Sequence, residues 1–195
     1  MFKDFKFLPG TDKLLVGKLP DEIFVEISKF VEHCRKIKDH PLGELYNHLN
    51  QGENSYQMSV PAPLLEQSFL FPYLIKLGEH FLKIHNIPIN HHQRPVRLRS
   101  NLNHYDSYDC WVNFTNKGDI NPPHSHAGNL SGVIYYSNID KCPTIFENDI
   151  QYAGKAKEII IFPASVEHSV NIHTSDNERI TLSFNLYFVE NFMRA

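Results

Sequence analysis

Two stretches in the first half of the chain place their apolar residues with a helical period. After Pro20-Asp21, the positions Ile23, Phe24, Ile27, Phe30, Val31, Cys34 and Ile37 line up on one face of a helix. A second helix is expected from Pro72, where a proline is tolerated in the first turn, carrying Leu74, Ile75, Leu77, Phe81, Leu82 and Ile84. Its stop falls at the Asn86 to Pro88 region, with Gly78 as the alternative. The intervening HPLGELYNHLNQGENSYQ segment reads as a short helix and loop.

From Pro95 the texture changes to short β-prone runs separated by Asp, Asn, Gly and Pro: PVRLRSNLNHY, DCWVNFT, LSGVIYYSN, PTIFEND, KEIIIFP, HSVNIHT and RITLSFNLYFVENF. Many close-spaced strands with few helices between them predict a double-sheet jelly roll. The expected fold is mainly β with flanking helices (α+β). A double-stranded β-helix, cupin-like core spans about 95–190, and the helical part of about 1–94 packs on one sheet. FKDFKFL and KLLVGKL are candidate edge strands, and residues 1–195 carry no repeat or low-complexity linker, so one domain is expected. Specificity is expected in loops around 38–62, 104–109 and 138–157.

Composition narrows the function classes. With 42% hydrophobic and 21% charged residues, the chain can build an ordinary core. A net charge of -3 gives no basic field to hold a phosphate backbone, so no nucleic-acid partner is implied. MFKDFKFLPG lacks the pattern of a secretory signal, and no apolar run reaches membrane-spanning length, so a soluble cytoplasmic protein without a membrane partner is expected. Cys34, Cys110 and Cys142 are odd in number and far apart, which argues against a disulfide framework or a cysteine zinc site. The 12 histidines therefore carry the metal question.

His124-Ser125-His126 follows Pro122-Pro123. On an extended strand positions 124 and 126 share a face, so two imidazoles can reach one cation; chance in a histidine-rich chain leaves one ligand at most as the competing reading. His168, after the FPASVE turn, is the third candidate, against a turn histidine bonded to backbone. Arg179 opens RITLSFN, where a guanidinium can grip a carboxylate with two parallel hydrogen bonds, against a surface charge paired with Glu178 or Asp176. No catalytic residue beyond the metal ligands stands out.

The order of these pieces resembles the 2-oxoglutarate- and iron(II)-dependent oxygenases related to prolyl hydroxylases. The likeness rests on Trp111-Val112-Asn113, on Asn121-Pro122-Pro123-His124-Ser125-His126, on Ser131-Gly132-Val133-Ile134-Tyr135-Tyr136, and on His168 followed by Arg179. It spans roughly residues 95–190 and departs from the common pattern, because His126 stands where most members have Asp or Glu.

The resemblance implies iron(II) on His124, His126 and His168, with 2-oxoglutarate as cosubstrate and ascorbate as an accessory reductant. It also implies that Arg179 clamps the distal carboxylate, helped by Tyr136, while Tyr135 faces the other way into packing. Thr181 and Ser183 share the arginine's face by period two, and Asn113 is a candidate to point into the same pocket. Asn185 and Trp111 are candidate substrate contacts. Two other metal arrangements stay open: two histidines completed by Asp119 or solvent, and a halogenase-like site with room at Gly128 and His124 turned away.

The implied activity is hydroxylation of a C–H bond in a prolyl or other peptidyl side chain or an amino acid, with succinate and CO2 as coproducts. A three-histidine cupin-type metalloenzyme that does not use 2-oxoglutarate is the first alternative. A non-enzymatic jelly-roll binding protein is the second.

Overall fold

The computed structural model describes residues 2–37, 55–87, 96–98, 100–101, 104–139 and 141–188. In chain order the elements are β1 (Lys6–Phe7), β2 (Leu15–Lys18), α1 (Asp21–Ile37), β3 (Tyr56–Pro61), α2 (Ala62–Glu66), α3 (Leu70–Ile84), β4 (Val96–Leu98), β5 (Ser100–Asn101) and β6 (His104–Thr115). Then follow β7 (Asn121–His124), β8 (Leu130–Tyr135), β9 (Thr144–Phe146), β10 (Ile150–Tyr152), β11 (Glu158–Pro163), β12 (His168–Val170) and β13 (Arg179–Phe188).

The strands form a large antiparallel sheet, ordered β1-β2-β11-β8-β13-β6-β3 with β4 on β13 and β5 on β6, and a small sheet ordered β10-β9-β12-β7. From β6 to β13 the chain passes back and forth between the two sheets, with β9 and β10 a consecutive antiparallel pair in the small one, the winding of a double-stranded β-helix. Both sheets contribute to one apolar cluster: Val133, Tyr135, Ile160 and Phe162 of the large sheet meet Phe146 and Val170 of the small one. Their inner faces therefore pack face to face at one end of the barrel.

The helices cover the outer face of the large sheet. Ile23, Ile27, Phe30, Val31 and Cys34 of α1 and Tyr73, Leu74, Leu77, Phe81 and Leu82 of α3 share a core with Ile180, Leu182, Phe184 and Leu186 of β13. Because strand side chains alternate, burying that set turns Arg179, Thr181 and Ser183 toward the barrel interior. The helical period of the sequence and the two-residue period of RITLSFN describe one interface from its two sides.

Local differences from the sequence reading have plain causes. Helix α3 begins at Leu70 rather than Pro72, with the Phe71 N–H donating to Ser68 Oγ at 3.4 Å, and it runs through a buried Gly78 to Ile84. Asn86, at φ 55, takes the left-handed conformation just beyond it. Tyr56 and Gln57, read as loop, start β3; most of the stretch before them lies outside the described residues. Residues 104–109, read as a loop, belong to β6. All three cysteines are free and buried, and among the described residues no helix is long and apolar enough to cross a membrane.

Candidate active site

Strands β7 and β12 are antiparallel neighbours, and their register sets His124 opposite His168. His126 lies two positions past His124, anchored by its backbone N–H to the Ala164 carbonyl at 3.0 Å. The three rings converge, with centroids 4.3 Å apart for His124 and His168, 5.0 Å for His124 and His126, and 5.1 Å for His126 and His168. Their nearest ring nitrogens all lie within 4.8 Å of one another, the spacing of donors around a single cation.

Two of the rings are held the same way. His124 Nδ1 lies 2.8 Å from the Pro122 carbonyl and His168 Nδ1 lies 3.1 Å from the Val166 carbonyl. A carbonyl only accepts, so each Nδ1 carries the proton and each Nε2 keeps its lone pair for a metal. Burial, then repulsion from His168 and His124, pushes the pKa of His126 down to about 3. Burial pushes His168 down to about 4, against the opposing Val166 hydrogen bond. These two imidazoles are neutral at pH 7, as metal ligation requires.

The cavity in front of the triad has a volume of about 420 Å³. One wall carries Arg179, which is 5% exposed. Its Nη2 donates to Thr144 Oγ1 at 3.1 Å, its Nη1 lies 3.5 Å from Thr181 Oγ1, and its buried Nε has no partner. Burial lowers the guanidinium's pKa, and the groups that oppose this are Tyr135 and Cys142, not a carboxylate. A buried cation without an anion is unfavourable by several kcal/mol or shifts its protonation, so this wall calls for an anionic ligand. The hydroxyls of Thr144, Thr181 and Ser183 line the cavity beside it.

The structure brings most of the sequence-selected residues to this cavity and moves others away. Trp111 lines it, 5.7 Å from the His126 ring, and donates Nε1–H to Asn113 Oδ1 at 3.1 Å. Asn113 in turn donates from Nδ2 to Thr181 Oγ1 at 3.1 Å and Ser183 Oγ at 2.9 Å. The tyrosine pair is inverted relative to the sequence reading. Tyr136 stacks on Phe24 of α1, centroids 5.4 Å apart, on the helix side of the sheet. Tyr135 is the inward one, wholly buried, its hydroxyl 2.8 Å from Thr144 Oγ1. Its ring fits because Gly154 has no side chain; a Cβ there would come within 2.3 Å of it.

Asp119 is engaged by the Ser55 hydroxyl and does not join the imidazole cluster, which removes the two-histidine arrangement completed by that carboxylate. His124 is not turned away and Gly128 packs near the Leu186 carbonyl and the Tyr187 ring, contrary to the halogenase-like arrangement. Asn185 is buried and accepts from Ser131 Oγ at 2.7 Å, and it is Ser131 that lines the cavity. Thr144, the small sheet's contact to Arg179, was missed by the sequence reading. Its contact is long-range, across the barrel, so no local pattern signals it.

Residues 140–185 match a family model described as "Putative 2OG-Fe(II) oxygenase". No curated protein matches the chain. Among solved structures, the non-heme alpha ketoglutarate dependent epimerase SnoN from nogalamycin biosynthesis is similar with a TM-score of 0.59 at 11% identity, covering 93% of this chain and 83% of that one. A Pseudomonas putida prolyl-4-hydroxylase aligns with a TM-score of 0.55 at 12% identity, over 92% and 94% of the two chains. HygX from Streptomyces hygroscopicus, with nickel and 2-oxoglutarate bound, aligns with a TM-score of 0.56 at 11% identity, over 92% and 84%. At such identities these likenesses speak for the fold.

Fold and family segment point the same way: residues 140–185 are similar to a 2-oxoglutarate- and iron(II)-dependent oxygenase model, and the aligned structures include proteins of that kind. The chain shares the double-stranded β-helix of those structures, and the family match is confined to residues 140–185.

Proposed function

We propose that the protein is an iron(II)- and 2-oxoglutarate-dependent dioxygenase that hydroxylates a C–H bond of a second substrate. One oxygen atom of dioxygen enters the product and the other enters succinate, with CO2 released. The observation that carries this reading is the buried Arg179 guanidinium, without a carboxylate partner among the described residues, opening onto the same cavity as three converging imidazoles. A metal site alone has no use for that cation. A dicarboxylate cosubstrate does.

The donor set fits the metal. His124, His126 and His168 would hold iron(II) through one nitrogen each, leaving further positions for cosubstrate and dioxygen. Iron(II), when bound, supplies dioxygen activation coupled to oxidative decarboxylation of the keto acid. The chain's own residues do the rest. Arg179, Thr144 and Thr181 bind and orient the distal carboxylate in a site shielded from water, and Tyr135 secures Thr144 from behind. Trp111 limits the space beside His126 where a substrate C–H bond can lie.

Three neutral ligands leave iron(II) with its full double charge, whereas a carboxylate would remove one unit. Anionic chelation by the keto acid therefore contributes more charge neutralisation here than in a two-histidine, one-carboxylate site. For the second substrate, a prolyl or other peptidyl side chain is the first candidate, supported by the structural likeness to a prolyl-4-hydroxylase, and a free amino acid is the second.

The test is succinate formation by purified protein with iron(II), ascorbate and 2-oxoglutarate, over a panel of prolyl peptides and amino acids. Turnover that disappears in Arg179→Ala, with metal content preserved, is the expected result. Metal-dependent activity that survives Arg179→Ala would favour a cupin-type enzyme without 2-oxoglutarate, and no metal binding at all would sink both.

A further inference from the structure

We propose that Asn113 is a positioning residue: its amide fixes the proton direction of the hydroxyls between Arg179 and the histidines, so that this wall offers only donors to a bound dicarboxylate, and it holds Trp111 beside His126. This rests on the 2-oxoglutarate reading above and adds a role for a side chain that need not touch the ligand.

The orientation of the amide follows from its neighbours. An indole N–H can only donate, so the atom 3.1 Å from Trp111 Nε1 is the amide oxygen. The nitrogen then faces the two hydroxyls, and its two N–H groups go to Thr181 at 3.1 Å and Ser183 at 2.9 Å. Strand register makes this reach possible. Asn113 is the direct partner of Thr181, and Trp111 is the partner of Ser183, so the amide spans two rungs of the β6–β13 pair on the inner face.

A hydroxyl has one proton and two lone pairs. Thr181 Oγ1 accepts from Asn113 and faces Arg179 Nη1 at 3.5 Å, so both lone pairs have donors and its proton is left for the cavity. Ser183 Oγ accepts from Asn113, and its proton is likewise free to turn to the cavity. Across the barrel, Thr144 Oγ1 accepts from Arg179 Nη2. Tyr135 is wholly buried and must place its own proton, and among the described residues Thr144 is where it goes. Thr144 is then also left with a proton to give. Three hydroxyls and one guanidinium thus present donors to one cavity, and Asn113 sets two of the three hydroxyls.

The chain's single tryptophan makes this measurable. Protein loaded with nickel(II), which does not turn over, is titrated with 2-oxoglutarate by calorimetry, while Trp111 emission reports the indole and its quenching reports nickel. Asn113→Asp keeps the size of the side chain and the indole bond, but replaces the two N–H donors with an acceptor that draws the hydroxyl protons back. It should weaken 2-oxoglutarate binding by about tenfold or more, with Trp111 emission and nickel affinity close to wild type. Asn113→Leu should weaken 2-oxoglutarate and also shift the emission. Thr181→Val should reduce affinity by itself and shrink the further loss caused by Asn113→Leu, because part of that loss acts through Thr181.

A side chain that only packs would lower the melting temperature without separating these two readouts. Wild-type affinity in a folded Asn113→Asp variant, or full additivity of Thr181→Val with Asn113→Leu, overturns the proposal while leaving the dioxygenase reading intact. Absence of 2-oxoglutarate binding to wild type overturns both.

Discussion

His124 and His168 face each other across the β7–β12 pair as register partners, with ring centroids 4.3 Å apart and each Nδ1 tied to the carbonyl two residues before it. Two strands thus present two Nε2 atoms to one point before any metal arrives. Changing either residue to alanine removes one donor of three. Metal affinity should fall by more than the roughly 10–100-fold typical of changes behind the ligands. Thermal melts check this: saturating nickel should stabilise wild type by about 2.7 kcal/mol at a hundred times Kd, and the His168→Ala protein hardly at all.

The same preorganisation has a cost at low pH. His126 and His168 titrate near about 3 and about 4 in the fold because burial opposes their charged forms, against about 6.5 in an unfolded chain. Above about pH 6.5 both states are neutral and these residues add no pH dependence. Below it the unfolded chain takes up protons that the fold refuses, so stability falls as pH drops from there toward the folded values. Metal-free protein should therefore show a melting temperature that is lost progressively from about pH 6.5 to about pH 4. The double change His126→Gln, His168→Gln should flatten that part of the curve. An equally steep decline in the double variant would assign the acid sensitivity to other groups.

Arg179 should be a case in which function opposes stability. The residue is 5% exposed, its guanidinium has an unpartnered Nε, and no carboxylate neutralises it among the described residues. Arg179→Met replaces an uncompensated charge with an apolar chain of similar reach. The ligand-free variant should be more stable, by on the order of 1 kcal/mol or more, and should lose 2-oxoglutarate binding. Arg179→Lys keeps the charge without the fork, and it should bind weakly and gain no stability. A melting temperature that drops in Arg179→Met would mean that the Thr144 and Thr181 contacts outweigh the desolvation of the charge.

The arginine was legible because strand parity is a local property: RITLSFN alternates polar with apolar because only one of its faces packs on helices. The expected strand through His124 and His126 is not formed, since β7 ends at His124; His126 reaches the cluster from the segment after it, held by the Ala164 carbonyl. Parity failed at Tyr135 and Tyr136 for a physical reason. All six residues of β8 are buried, so apolar side chains occupy both faces and polarity carries no sign of which one looks inward. Thr144 and the β3 strand were invisible for a different reason. Their importance comes from partners distant in sequence, Arg179 and β6 respectively, which the chain brings together only on folding.

That inversion yields the sharpest paired comparison. Tyr135 and Tyr136 are adjacent and chemically identical, yet one supports Thr144 against Arg179 and the other stacks on Phe24. Tyr135→Phe removes a buried hydroxyl bond worth about 1 kcal/mol and leaves Thr144 free to turn its proton away from the cavity. Affinity for 2-oxoglutarate should fall roughly fivefold to tenfold, since about 1.4 kcal/mol is a factor of ten, with nickel affinity unchanged. Tyr136→Phe keeps the ring that packs on α1, so it should leave cosubstrate affinity where it was. Calorimetric titration of both nickel-loaded variants decides the matter. Weaker binding in Tyr136→Phe, with Tyr135→Phe behaving as wild type, would mean that the sequence reading had the correct face and that Tyr135 only fills the space Gly154 leaves open.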